Sequence, residues 1–147
     1  MAVNRQELIS CLNDLIQTCR DGEKGFRVAS ENVGDDSLQT YFQRMSIQRA
    51  QFASELQAEV RQLGGGTTPG GSVSGAFHRG WMNLKAPITG GDSSIVSECE
   101  WAEDAALHNY ERVLKQNLPP NVLPVVKHQY TQIKNSHSRL HDLEKAA

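Results

Sequence analysis

Apolar residues recur at steps of three and four along the first half of the chain, a spacing that places them on one face of an α-helix. The first such run is Leu8, Leu12, Leu15, Cys19, Phe26, Ala29 and Val33, and the second is Leu38, Phe42, Met45, Phe52, Leu56, Val60 and Leu63. Asn4 with Glu7 forms a capping box, and Gly34 is a natural stop. We expect a continuous helix over about 4–33, despite Gly22 and Gly25, and a second helix within 35–65. The short connection makes the two helices an antiparallel hairpin.

The second half of the chain repeats this pattern. Ile95, Cys99, Ala102, Ala106, Tyr110 and Val113 predict a helix that starts after Asp92-Ser93-Ser94 and runs to about 117. The stretch "NLPPNVLP" breaks the chain, because proline is tolerated only near helix starts. A fourth helix is predicted over about 121–145, with Leu123, Val126, Tyr130, Ile133, His137 and Leu140 facing inward.

Residues 64–92 hold nine of the twelve glycines and separate the two hairpins. They are long enough to travel the length of a bundle, so the third helix can lie parallel to the second. Within them, "SGAFHRGWMNLK" predicts a short helix. We interpret His78 and Trp81 as a contact of the crossover with the bundle, with a catalytic His78 as the alternative. The predicted fold is all-α: one ferritin-like four-helix-bundle domain over 1–147, formed by two antiparallel hairpins and a Gly-rich crossover over about 64–92.

Six stretches of the chain resemble a bacterial family of small ferritin-like four-helix-bundle proteins of unknown function. They are "DGEKGF", "RAQFASEL", "LGGG", "HRGWMNLK", "ECEWAEDAALHNY" and "IKNSHSRLH", which together extend over nearly the whole chain. The crossover motif "HRGWMNLK" is the most specific of them. The resemblance implies the fold, and it implies no established activity.

Charge and composition exclude several classes of partner. With 15 basic and 17 acidic residues, the formal net charge is −2, unlike that of a typical nucleic-acid binder. No basic run suits a membrane surface, and no segment has the 18 apolar residues of a membrane span. The N-terminus lacks the apolar core of a signal peptide. Three cysteines without a CxxC motif favour reduced thiols, so we expect a cytoplasmic protein.

Each helix interrupts its apolar face with one polar residue near its middle: Glu23, Arg49, Glu103 and His137. At 1.5 Å per residue these positions fall within about one turn of each other, so the four side chains are expected to meet in one core layer. Two interpretations follow. In the first, Arg49 joins the carboxylates and His137 in a salt-bridged layer. In the second, Glu23, Glu103 and His137 hold iron, manganese or zinc.

The residue pattern favours the first interpretation. A ferritin-like di-metal centre uses a Glu-x-x-His motif on two helices, and no such motif occurs in this chain. Arg49 stays protonated and repels cations. Separately, His137 and His141 have the i,i+4 spacing that can chelate zinc or nickel. We therefore expect a non-enzymatic bundle without a cofactor, acting through protein contacts as a homo-oligomer, a dimer or larger assembly, with an unknown protein partner. A metal-binding or redox protein is the alternative, and enzymatic activity stays undecided.

Overall fold

The computed structural model describes residues 4–66 and 91–146, which form four α-helices and contain no strand. These are α1 (Arg5–Asn32), α2 (Asp36–Gln62), α3 (Gly91–Leu114) and α4 (Leu123–Ala146). Helix α1 is continuous through both internal glycines, as predicted. Helix α3 begins and ends a few residues earlier than expected. The predicted crossover helix, with His78 and Trp81, lies outside the described residues.

Side-chain caps and a glycine fix the helix ends. The Asn4 carboxamide accepts a hydrogen bond from the Glu7 amide at 2.8 Å, and the Asp35 carboxylate accepts one from the Leu38 amide at 2.9 Å. Helix α2 ends in a Schellman motif, with Gly64 at φ 79° and the Gly65 amide bonded to the Val60 carbonyl at 2.9 Å. The glycines at positions 64–66 thus mark the end of α2.

The four helices form a ring in which each neighbour is antiparallel. Helix α1 packs against α2 and α3, and α4 packs against α3 and α2. Hydrogen bonds at both ends of the bundle show the relative directions of the helices. Asp92 at the start of α3 accepts hydrogen bonds from the Gly34 and Asp35 amides at 2.8 and 3.0 Å. At the other end, the Asn121 carboxamide before α4 donates to Glu59 at 3.2 Å. Helices α2 and α3 are consequently parallel and lie diagonally across the bundle.

The core follows the predicted stripes on α1, α2 and α3, and it departs from the prediction on α4. There the fully buried positions are Val126, Gln129, Ile133 and Leu140, with Val122 buried just before the helix, whereas Leu123 is exposed and Tyr130 is half-buried. The helix is therefore rotated by about one residue relative to the predicted face. Both faces share the three apolar positions at 126, 133 and 140, so the apolar pattern alone does not distinguish them. The all-α four-helix bundle itself is confirmed.

No helix in the described ranges, 4–66 and 91–146, combines the length and apolar character needed to cross a membrane.

Candidate functional site: a buried ion pair across the bundle

An arginine and a glutamate meet at the centre of the bundle. The Arg49 guanidinium on α2 donates to both carboxylate oxygens of Glu103 on α3, with Nη1–Oε1 at 2.5 Å and Nη2–Oε2 at 2.7 Å. The exposed fractions are 2% for Arg49 and 0% for Glu103. Because α2 and α3 lie on the diagonal, this bidentate pair spans the core between helices whose backbones are not neighbours.

A serine from the fourth helix completes the pair. Ser136 Oγ accepts a hydrogen bond from Arg49 Nη2 at 3.1 Å and also contacts Glu103 Oε2 and the Ile133 carbonyl. On the opposite side, the guanidinium carbon of Arg49 lies 5.2 Å from the centroid of the Phe26 ring on α1. All four helices therefore contribute to the surroundings of Arg49.

The sequence makes room for the long Arg49 side chain with small residues. Gly22 faces it from α1, where a Cβ atom would lie 3.4 Å from Arg49 Cγ. Ser136 faces it from α4.

Buried charges require partners, since a charge left alone in a core costs several kcal/mol. Burial alone would lower the pKa of Arg49, but the Glu103 carboxylate outweighs it and the net pKa is raised. The guanidinium stays charged.

Glu23 does not join this layer, contrary to the sequence-based expectation. Its carboxylate pairs with Arg20 at 3.2 Å and with Arg27 at 3.3 Å on the same helix, and 21% of its side chain is exposed. The position that faces Arg49 from α1 is Gly22, one residue earlier. Along α1, steps of four and three connect Leu15, Cys19, Gly22, Phe26 and Ala29 without a gap. This regular spacing could have predicted that Gly22 faces the core. A glycine has no side chain, however, so it does not stand out in an apolar pattern.

His137 also lies outside the layer. Its Nε2 atom faces Asp104 Oδ1 at 3.5 Å, on the outer side of the α3–α4 pair, and 25% of its side chain is exposed. Ser136 occupies the inward position that we had predicted for His137. Within the described residues, the metal-ligand set Glu23, Glu103 and His137 is thus divided among three places, with Arg20 and Arg27, with Arg49, and with Asp104.

A second buried hydrogen-bond network lies about two helical turns from the ion pair. The Tyr110 hydroxyl donates to Gln129 Oε1 at 2.7 Å, and Gln129 Nε2 donates to the Phe52 carbonyl at 3.2 Å and to Glu55 Oε1 at 2.9 Å. Cys19 Sγ lies 3.1 Å from the Tyr110 oxygen. Since the only hydroxyl proton of Tyr110 goes to Gln129, the Cys19 thiol is the donor in that contact.

Two ionisable groups of this network, Cys19 and Tyr110, are held in their neutral forms. Burial raises the pKa of the Cys19 thiol to about 11, against a smaller opposing effect of its hydrogen bond to Tyr110. Burial also raises the pKa of Tyr110 well above its usual value. Neither group is an activated nucleophile, because activation requires a lowered pKa. The network connects all four helices through hydrogen bonds, and sequence reasoning had missed its Gln129.

Across residues 4–66 and 91–146, no three His, Cys, Asp or Glu side chains are arranged to hold a metal ion as they stand. The core site thus consists of a closed ion pair and a hydrogen-bond network.

These features define an all-α four-helix bundle. A family model described as a domain of unknown function (DUF2383) matches residues 7–116, which is most of the chain. The chain belongs to that family, in agreement with the resemblance noted in the sequence. No curated protein matches the chain significantly.

The chain is similar in structure to a two-domain protein from Anabaena variabilis ATCC 29413. That protein was solved by crystallography at 1.90 Å and contains DJ-1/ThiJ/PfpI-like and ferritin-like domains. The TM-score is 0.78 and the sequence identity is 16%, over 99% of this chain. This chain spans 41% of the length of the Anabaena protein. At this identity the similarity establishes the fold alone.

Proposed function

We propose that this chain is a non-enzymatic ferritin-like bundle that acts through protein contacts and assembles as a homodimer. The buried Arg49–Glu103 pair carries the proposal. A di-metal centre in a ferritin-like bundle needs several inward carboxylates and imidazoles. Here the one fully buried carboxylate on the described helices already accepts two hydrogen bonds from a permanent cation.

The residues present do not fit a di-metal centre in this core. A metal ion bound by Glu103 would lie beside the Arg49 guanidinium, which repels it and offers no lone pair. Displacing Arg49 would leave a buried charge without its partner, a cost of about 3–5 kcal/mol. The alternative of a redox or metal protein using Glu23, Glu103 and His137 has less support, because those three groups face different partners.

One groove on the outer face of α1 and α2 supports the contact role. It has a volume of about 710 Å³, and its lining combines charged and small residues: Glu23, Arg27, Ser46, Ile47, Ala50, Gln51, Ser54 and Glu55. Ile47 is 62% exposed at its edge. An exposed β-branched side chain beside small residues on one helix suits a self-complementary interface, in which the Ile47 of each copy contacts the small residues of the other.

Sedimentation equilibrium at micromolar concentration tests the assembly. We expect a dimer for the parent chain and a shift towards monomer for Ile47→Glu. The matched control is Leu123→Glu, at another exposed apolar position, which should leave the mass unchanged. A strict monomer for the parent chain would contradict the proposal. So would an oxygen- or peroxide-dependent spectral change on adding ferrous iron that is lost in Glu103→Ala.

A further inference from the structure

Two pairs of side chains face each other between α3 and α4. Glu100 and Asp104 are four residues apart on α3, and His137 and His141 are four residues apart on α4. Residues at this spacing are neighbours on one face of a helix. His141 Nδ1 lies 2.6 Å from Glu100 Oε1, and His137 Nε2 lies 3.5 Å from Asp104 Oδ1. We call these four residues the α3–α4 cluster.

The antiparallel packing of α3 and α4 produces this arrangement. Four residues advance a helix by about 6 Å, so two such pairs on antiparallel helices form a rectangle with one carboxylate opposite each imidazole. The residues are partly exposed and belong neither to the Arg49–Glu103 pair nor to the Tyr110 network. As partly exposed ion pairs, the two contacts contribute little to stability.

The donor types and their spacing match one class of ligand. Zinc prefers four nitrogen, oxygen or sulfur donors in a tetrahedron, at about 2.0–2.1 Å for imidazole and about 2.0–2.2 Å for carboxylate. Two donors on one such ion lie about 3.3 Å apart. The separation of 3.5 Å between His137 and Asp104 is already close to this value. The direct contact between His141 and Glu100 is one that an ion would replace by taking both as ligands.

We propose that the α3–α4 cluster binds a divalent zinc-type ion at the bundle surface, with His137 and His141 as nitrogen ligands and Asp104 and Glu100 as oxygen ligands. In the described structure the four groups pair two by two, and no three of them converge on one point. Ion binding would require rotation of the four side chains, of which His137 and Glu100 are 25% and 15% exposed. The ion would link α3 to α4 on their outer side.

Two other titratable groups, His108 and Glu144, lie beside the cluster and are not among the proposed ligands. His108 Nδ1 lies 2.8 Å from the Asp104 carbonyl and 3.6 Å from Asp104 Oδ2, within its own helix. Glu144 accepts a hydrogen bond from Ser97 at 3.1 Å. His128 lies elsewhere on α4, beside Glu55 and Glu59 in the groove next to α2, and provides a matched control histidine.

Calorimetric titration of the chelator-treated, untagged chain with zinc sulfate tests the proposal. We expect saturable binding of one ion per chain. Each of His137→Ala, His141→Ala, Asp104→Asn and Glu100→Gln should weaken it by at least about tenfold. His128→Ala should bind as the parent does. Circular dichroism without metal checks that each variant is folded. Titration with Co²⁺ should give the visible absorption of tetrahedral coordination, which His137→Ala should lose.

Three results would overturn the site. The first is the absence of saturable zinc binding. The second is an equal loss in His128→Ala, which would indicate nonspecific uptake. The third is a loss confined to the two histidine variants, since this would show chelation by one helix without the carboxylates of α3. The site is separate from the dimer interface proposed above, so Ile47→Glu should keep full zinc binding.

Discussion

The Arg49–Glu103 pair makes a specific prediction about stability, which a double-mutant cycle can measure. Arg49→Met removes the cation while roughly keeping the length of the side chain, and Glu103→Leu removes the carboxylate. Each single change leaves one buried charge without its main partner. Because both side chains are almost wholly inaccessible to solvent, water cannot compensate for the missing partner in either variant.

The expected magnitudes follow from this burial. Each single substitution should lower the free energy of unfolding by about 3–5 kcal/mol. The two costs added together, about 6–10 kcal/mol, approach the whole stability of a typical domain. The double variant should lie within about 2 kcal/mol of the parent, because an apolar pair replaces an ion pair of similar volume. Ser136 is not left without a partner in that variant, since its hydroxyl contacts the Ile133 carbonyl at 2.8 Å.

Urea unfolding followed by far-ultraviolet circular dichroism measures these differences, provided that the slope with urea stays constant among the variants. Arg44→Met is the matched control, because Arg44 is exposed on the same helix and should change the stability by less than about 0.5 kcal/mol. The reasoning is refuted if either single variant loses less than about 1 kcal/mol. It is also refuted if the double variant loses the sum of the two single costs.

Three further predictions concern the surroundings of the pair, the end of α2 and the buried thiol. Gly22→Ala should raise the free energy of unfolding by about 0.5–1 kcal/mol, because the added Cβ meets Arg49 at an ordinary contact distance. Gly22→Leu should lower the free energy of unfolding. Thermal unfolding of both variants measures the difference. Gly64→Ala should lower the free energy of unfolding by about 1–2 kcal/mol, since Gly64 has φ 79° and a Cβ there would meet Arg5. Gly66→Ala is the control, because a Cβ at Gly66 would lie in open space. Equal effects of the two substitutions would argue against the Schellman motif at the end of α2. Burial raises the pKa of the Cys19 thiol from 9.0 to about 11, so between these pH values the native state keeps a proton that the unfolded chain loses. The free energy of unfolding of the parent should therefore fall between pH 9 and pH 11. The fall should be about 2–3 kcal/mol larger than that of Cys19→Ala. Parallel pH profiles of the two proteins would refute that assignment.

The helices and their pairing could be predicted from the sequence because the apolar periodicity is regular. The apolar positions on α1, α2 and α3 leave few alternative buried faces, and Asn4 marks the start of α1 by its local chemistry. The long Gly-rich segment correctly indicated that α2 and α3 are parallel, because a short connection could not join them.

Periodicity was insufficient to predict the membership of the core layer. Arg49 and Glu103 each lie on a helix face with regular apolar spacing, and their side chains form the predicted salt bridge. Glu23 and His137 are each one position away from a smaller inward residue, Gly22 and Ser136. A long guanidinium in a closely packed interior needs small neighbours, so the volume of Arg49 determines which residues face it. An apolar pattern contains no information about that volume.

The most direct test of the closed core is a crystal structure of the chain grown with ferrous or manganous ions, with anomalous diffraction recorded at the metal edge. The account predicts Arg49 bound through both nitrogens to Glu103, near the present 2.5 and 2.7 Å, with no anomalous peak between them. An anomalous peak within coordination distance of Glu103, with the guanidinium of Arg49 turned away, would contradict it.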